Sequence, residues 1–134
     1  VYMRGVDWSY APTTAMSVLD SCIGGKSSIN VGSIKNLVGN IYPPKKVIID
    51  LSFLKSLDLV GLTSGLSEAA KICFAAGQDS FGQFIDLNVD SAAFHNLSNI
   101  DAIEALIHHV LMSKKYFIEI DEFDLGQRKL LNFG

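Results

Sequence analysis

Three short patterns in this 134-residue sequence are able to do chemistry. The first is LDSCIGGKSSIN, residues 19–30, in which Asp20 precedes two glycines and Lys26. Glycines let a backbone approach a ligand closely, and a lysine beside such a loop is suited to an anion. The second is Glu68 with Lys71, which at i and i+3 on one helix face the same way and bring a carboxylate and an ammonium together. Taken alone, that pair reads best as a surface ion pair. The third is Lys114, which falls on the same helical stripe as Ile100, Ile103, Ile107, Val110 and Leu111, so that a lysine extends an apolar face.

The loop at Lys26 invites comparison with a phosphate-binding P-loop, and the comparison fails. That motif needs a glycine five residues before its Gly-Lys-Ser, so that the backbone can wrap the phosphates. In DSCIGGKS the position is Asp20, whose carboxylate would repel a triphosphate. Bulk charge points the same way: a net charge of -3 provides no basic field for a polyanion, which excludes nucleic acid as an expected partner. Any anion binding must be local. The apolar runs VIID and LIHHVL are far shorter than a membrane span, Arg4 and Asp7 interrupt any leader-like stretch, and a cytoplasmic protein without membrane contact is expected. Cys22 and Cys73 lack metal-ligand spacing and read as packed, reduced thiols.

The elements that must position these residues fall into two regimes. Residues 1–14 read as a short strand with Val6, Trp8 and Tyr10 alternating and Pro12 closing it, and residues 15–23 as a helix. KNLVGNIYPPKKVIIDL offers two apolar runs divided by Pro43 and Pro44, which suggests paired strands or a strand pair bracketing a loop. From Ser52 onward the period is helical. One helix is expected over SGLSEAAKICFAAG, bounded by Gly65 and Gly77, and another over SNIDAIEALIHHVLMSKKYFIEIDEF with Asn99 as its N-cap and acids in its first turn. His108 and His109 on that helix read as a core or boundary feature rather than ligands, and His95 matches no ligand position.

Four segments, APTTAMSVLDSCIGGKSSIN, GSIKNLVGNIYPPKKVIIDLSFLKSL, SGLSEAAK and KKYFIEIDEFDLGQRKLLNFG, occur in an order and spacing that resemble the central part of the 3-dehydroquinate synthase family, among the sugar phosphate cyclases. The resemblance covers nearly the whole chain. It implies an α/β plus mainly α fold: residues 1–51 would end the N-terminal NAD-binding α/β domain, and residues 52–134 would begin a helical metal- and substrate-binding domain. It also implies an NAD- and metal-dependent lyase, with zinc or cobalt as the divalent metal. Such an enzyme converts 3-deoxy-D-arabino-heptulosonate 7-phosphate, a phosphorylated keto acid, to 3-dehydroquinate and phosphate. A homodimer is implied as well.

Residue roles follow from the same resemblance. Asp20 and Lys26 would meet both substrate and cofactor, and Asn36, Lys71, Lys114, Arg128 and Asn132 would meet the substrate, joined by Arg4 from a neighbouring subunit. Thr13, Thr14, Lys35, Phe53, Leu54, Lys55 and Ser56 would contact NAD, and Glu68 would be the first metal ligand. Departures exist: Ser56 replaces the usual threonine, Leu57-Asp58 replaces a Leu-Pro, and Gly61 replaces an acid. In the family LNFG leads into a His-containing motif that supplies the next metal ligand. The chain opens on Val1 and ends in an apolar run, so it reads as a piece of a larger protein that is inactive by itself. A related valiolone- or inosose-forming cyclase and a non-catalytic homologue that only binds ligand remain as alternatives.

Overall fold

The computed structural model describes residues 5–133; Arg4 lies outside them. Strand content is small and split between two sheets. A two-residue strand β1 (Ser9–Tyr10) pairs in parallel with β4 (Lys46–Val47), with Ser9 opposite Lys46 and Tyr10 opposite Val47. The expected strand over residues 1–14 is thus confined to its centre among the described residues, and Val6 is half exposed. The second sheet is a hairpin of β2 (Ile29–Val31) and β3 (Ile34–Val38) that turns at Gly32, whose φ of +60° suits a residue without a Cβ. The two runs around Pro43 and Pro44 therefore do not pair with each other. Each finds another partner, because the prolines carry the chain from the hairpin back to β1.

Between β1 and the hairpin lies a helical turn whose last part, Ser17–Ser21, is π-type. Thr14 and Ser17 fasten its start, Thr14 N donating to Ser17 Oγ at 3.0 Å and Ser17 N to Thr14 Oγ1 at 3.2 Å. Ala15, Val18, Leu19 and Cys22 are fully buried, which drives this turn into the helical layer.

That layer consists of α1 (Leu59–Ala76), α2 (Gln78–Asp86), α3 (Ser91–Asn96) and α4 (Ile100–Ile120), with 3₁₀ turns at Leu51–Ser56 and Gln127–Asn132. Three of the helices have side-chain N-caps: Asp58 accepts from Gly61 N, Asp90 from Ala93 N and Asn99 from Ala102 N. α1 therefore starts six residues before Gly65, which is internal rather than a boundary. A Cβ at Gly65 would collide with the backbone of Ala15 and Met16, so this glycine is what lets the π-type turn lie against α1. α1 is long and apolar enough by length and composition to cross a membrane. Here one face, with Leu62, Gly65, Ala69, Ile72 and Cys73, is buried against the π-type turn and the other helices, while Leu59, Val60 and Phe74 are exposed.

α4 keeps the expected stripe with a shift at both ends. Ile103, Leu106, Ile107, Val110, Lys114 and Phe117 are buried, while Ile100 is half exposed in the first turn. His109 bridges to α2, its Nε2 lying 2.9 Å from the Ser80 carbonyl, and His108 is exposed.

Candidate functional site

The pocket begins with a buried lysine. Lys114 is 6% exposed in the middle of the α4 stripe, and an ammonium there needs partners. It finds them on the π-type turn: Nζ lies 2.8 Å from Asp20 Oδ1 and donates to the carbonyls of Asp20 and, at 3.3 Å, Ile23. Burial pulls the Lys114 pKa below its ordinary value, with Asp20 opposing that shift and Arg128 adding to it. Arg128, 2% exposed on the last 3₁₀ turn, does the same for the next stretch of chain. Its Nη1 donates to Glu122 O at 2.7 Å and its Nη2 to Gly24 O at 3.1 Å. A side chain at Gly24, whose φ is +97°, would strike that guanidinium. Two cations from the end of the chain thus hold the carbonyls of residues 20–24 and fix the loop that carries Lys26.

Lys26 reaches back across the pocket mouth. Its Nζ lies 2.6 Å from Asp124 Oδ2, and Asn132 Nδ2 donates to the same oxygen at 3.1 Å. Burial works against ionisation of Asp124, but the hydrogen bonds of Lys26 and Asn132 and the charges of Lys26 and Arg128 outweigh it and hold its pKa below the usual value. On the opposite wall α1 presents Glu68 and Lys71, paired at 2.8 Å and each about one-fifth exposed. Together Asp20, Lys26, Glu68, Lys71, Lys114, Arg128, Leu131 and Asn132 line a pocket of about 230 Å³. Four cations face two carboxylates around one small polar cavity, an arrangement suited to a multiply charged anionic ligand.

Several residues singled out in the sequence lie elsewhere. Lys35 and Asn36 are exposed on β3, where Asn36 has a φ of +54° and its Oδ1 accepts from Ser28 Oγ at 2.9 Å. Thr13, Thr14, Phe53, Lys55 and Ser56 are exposed on two further stretches and do not line the pocket. Leu54 is fully buried in the core, so its side chain is turned away from any surface ligand and only its backbone could make the contact expected of it. As for a metal, Glu68 is an accessible carboxylate in the pocket wall, but no group of three potential ligands exists among the described residues. They fit a metal only as one donor, and further ligands must come from outside them.

Asp124 carries no signal of its own in the sequence. The DEFD run signalled acidity alone, and nothing in it shows that the third acid would turn inward at a φ of +58°. The turn is set by Asp121, which accepts from the backbone N–H groups of Leu125, Gly126 and Arg128 at 2.9, 2.6 and 3.1 Å.

A family model described as 3-dehydroquinate synthase N-terminal matches residues 1–64. Curated relatives align over nearly the whole chain. The 3-dehydroquinate synthase of Dictyoglomus turgidum is 39% identical over 134 residues, 100% of this chain and 37% of its own length. That of Streptococcus pyogenes serotype M49 is 38% identical over 133 residues, 99% of this chain and 35% of its own. The bifunctional 3-dehydroquinate synthase/phosphatase of Fusobacterium nucleatum is 35% identical over 99% of this chain and 20% of its own. The chain therefore spans about a fifth to just over a third of these proteins.

Two solved structures share the fold. The 2-epi-5-epi-valiolone synthase of Streptomyces hygroscopicus, with NAD+ and Zn2+ bound, superimposes with a TM-score of 0.83 at 23% identity, covering 99% of this chain and 36% of that one. A 2-deoxy-scyllo-inosose synthase complexed with carbaglucose-6-phosphate, NAD+ and Co2+ gives 0.76 at 20% identity, covering 99% and 35%.

Proposed function

The chain belongs to the 3-dehydroquinate synthase family of sugar phosphate cyclases, and from that premise we propose that its 230 Å³ pocket is part of the substrate site of a 3-dehydroquinate synthase. The reaction would be the NAD- and metal-dependent conversion of 3-deoxy-D-arabino-heptulosonate 7-phosphate to 3-dehydroquinate and phosphate. One observation carries the reading. Asp20, Lys26, Glu68, Lys71, Lys114, Arg128 and Asn132, scattered over more than a hundred positions and assigned to substrate or metal by resemblance, line a single cavity.

Within that reading the residues divide by what their surroundings allow. Lys71 and Lys26 are held only by single carboxylates at the pocket walls and would take the phosphate and carboxylate of the substrate. Lys114 and Arg128 are too deeply engaged with carbonyls to move far. They hold the loop at residues 20–24 and add fixed positive potential at the pocket floor. Asn132 offers its amide at the rim.

Glu68 would be one ligand of the divalent metal, and Thr13, Thr14, Lys35, Phe53, Leu54 (through its backbone), Lys55 and Ser56 would meet NAD together with Asp20 and Lys26. NAD supplies a hydride acceptor for a secondary alcohol, and the metal a Lewis acid for the same hydroxyl. The boundary between an NAD-binding portion and a helical portion is placed near residue 51, and a cytoplasmic homodimer, with Arg4 reaching a neighbouring substrate, is proposed on the same basis.

A sister cyclase acting on another sugar phosphate is the second reading, favoured by the valiolone and inosose synthases that share the fold. The test is phosphate release by the full-length polypeptide from 3-deoxy-D-arabino-heptulosonate 7-phosphate with NAD and metal, before and after chelation, beside Glu68→Gln. Release abolished by chelator and variant alike supports the proposal. Release only from a different sugar phosphate moves the assignment to a sister cyclase, and a folded, metal-loaded protein that releases none from any of them is a binding protein.

A further inference from the structure

We propose that Ser28 and Asn30 are positioning residues that set the side-chain amide of Asn36 as a hydrogen-bond donor towards the substrate; this rests on the reading of Asn36 as a substrate residue. The β2–β3 ladder pairs Ile29 with Val38 and Val31 with Ile34, so that Lys35, Asn36 and Leu37 of β3 stand opposite Asn30 alone. Extra residues in one strand form a bulge, which breaks the alternation of side chains and re-aims those it carries. Here it carries Lys35 and Asn36.

Two side chains on the opposite arm of the hairpin fix the bulge. Asn36 sits at a φ of +54°, a left-handed backbone that asparagine tolerates better than most residues. Its backbone N–H donates to Asn30 Oδ1 at 2.9 Å, and its own Oδ1 accepts from Ser28 Oγ at 2.9 Å. The carbonyl end of the amide is thereby taken up within the hairpin. Nδ2, without a hydrogen-bond partner among the described residues, is the end left to a ligand, and it can serve a phosphate, carboxylate or hydroxyl oxygen. Ser28, Asn30 and Asn36 are all exposed, so their mutual hydrogen bonds compete with water and add little to stability, whereas an amide held in one orientation loses less freedom on meeting its ligand. The hairpin also springs from the pocket mouth: Ser27 N donates to Asn40 O at 3.0 Å, and Lys26 pairs with Ile41. Hydrogen bonds inside the hairpin decide which atom Asn36 presents; what the hairpin packs against decides where.

Orientation of an amide has a signature that structural support lacks, because a carboxylate in its place has two like oxygens and nothing to orient. The full-length polypeptide is assayed for phosphate release from 3-deoxy-D-arabino-heptulosonate 7-phosphate with NAD and metal, as wild type, Ser28→Ala, Asn30→Ala, Asn36→Asp and the double variant of Ser28→Ala with Asn36→Asp. Hydrogen exchange of the Asn36 backbone N–H is followed alongside. Asn36→Asp, which suits the left-handed backbone, should lower kcat/KM about a hundredfold, and Ser28→Ala and Asn30→Ala about tenfold each, chiefly through KM and with melting temperatures unchanged. The double variant should be no worse than Asn36→Asp alone. Ser28→Thr and Asn30→Asp, which keep the hydroxyl and the acceptor oxygen, should stay within about twofold of wild type. Asn30→Ala should speed exchange at Asn36 about tenfold.

Wild-type kinetics in Ser28→Ala and Asn30→Ala beside an impaired Asn36→Asp, or losses that multiply in the double variant, overturn the inference. So does a Ser28→Thr that behaves like Ser28→Ala, since the hydroxyl would then have no part in it. Wild-type kinetics in Asn36→Asp with faster exchange in Asn30→Ala sinks the reading of Asn36 as a substrate residue and leaves the restraint on the bulge standing; unchanged exchange as well overturns both. A folded, metal-loaded protein that turns over no sugar phosphate removes the functional reading, and the exchange rate at Asn36 alone then decides the restraint.

Discussion

The pocket and the β2–β3 hairpin both carry residues that the family resemblance assigns to ligands, and they are built in opposite ways. In the pocket the charged groups are buried or half-buried and each is tied to another group, in three of the four cases on a different element. Lys114 is tied to the π-type turn, Arg128 to the glycine loop, Lys26 to Asp124 and Lys71 to Glu68. On the hairpin Lys35 and Asn36 stand on strands exposed throughout, with Ile29 at 63% and Ile34 at 54% exposure. The pocket is organised within this chain. The hairpin has apolar side chains without a cover here, and its ligand contacts depend on whatever packs against it. Burial thus separates residues whose geometry is fixed by this sequence from residues whose geometry is not.

The difference can be broken most severely at Lys114. Lys114→Ala removes a buried stem and leaves two carbonyls and the Asp20 carboxylate without their donor, which should cost about 3 kcal/mol in urea denaturation and abolish phosphate binding. A variant as stable as wild type would mean that the loop of residues 20–24 is held by other contacts. Gly65→Ala strikes the same architecture from the far side. Its methyl group meets the backbone of Ala15 and Met16, so a loss of about 1–3 kcal/mol is expected, with weaker anion binding because the turn bearing Asp20 is displaced.

Acid should act on the pocket and spare the hairpin. Asp121, through the backbone N–H of Leu125 foremost, and Asp124, through Lys26 and Asn132 against its burial, both have pKa values below the usual one in the folded state. Ionisation is therefore favoured by folding. The stability they contribute is present above the ordinary carboxylate range and is lost as pH falls through their folded values, below about pH 4. Asp121→Asn should flatten that limb of a urea midpoint against pH curve, and an unchanged limb would show that other carboxylates govern it. The smallest effect is expected on the hairpin, where Ile34→Thr should shift stability by less than about 0.5 kcal/mol. A large loss there would mean that the hairpin is packed in solution.

The same division decides what the sequence reveals. The α4 stripe, its Asn99 cap and the burial of Lys114 follow from local period and capping, and the structure agrees within a turn. The partner of Lys114 does not follow, because Asp20 lies 94 positions away and only the packing of the π-type turn on α1 and α4 joins them. Gly65 reads as a helix boundary because a glycine usually interrupts a helix, whereas here its missing side chain is used for close packing. Pro43 and Pro44 suggest a turn between two paired strands. They connect strands of different sheets instead, since register between distant strands leaves no local mark. Asp124 is invisible in sequence for a related reason: its direction is set by a left-handed backbone angle that an acidic run does not encode.

The most direct test of the central claim is a crystal structure of the full-length polypeptide soaked with a non-reactive phosphonate analogue of the substrate. Density for the phosphonate within hydrogen-bond reach of Lys26 and Lys71, in the cavity shared with Glu68, Lys114, Arg128 and Asn132, is the expected result. An analogue bound with full occupancy elsewhere, such as the groove between α2 and α4 beside His108 and Met112, would contradict it.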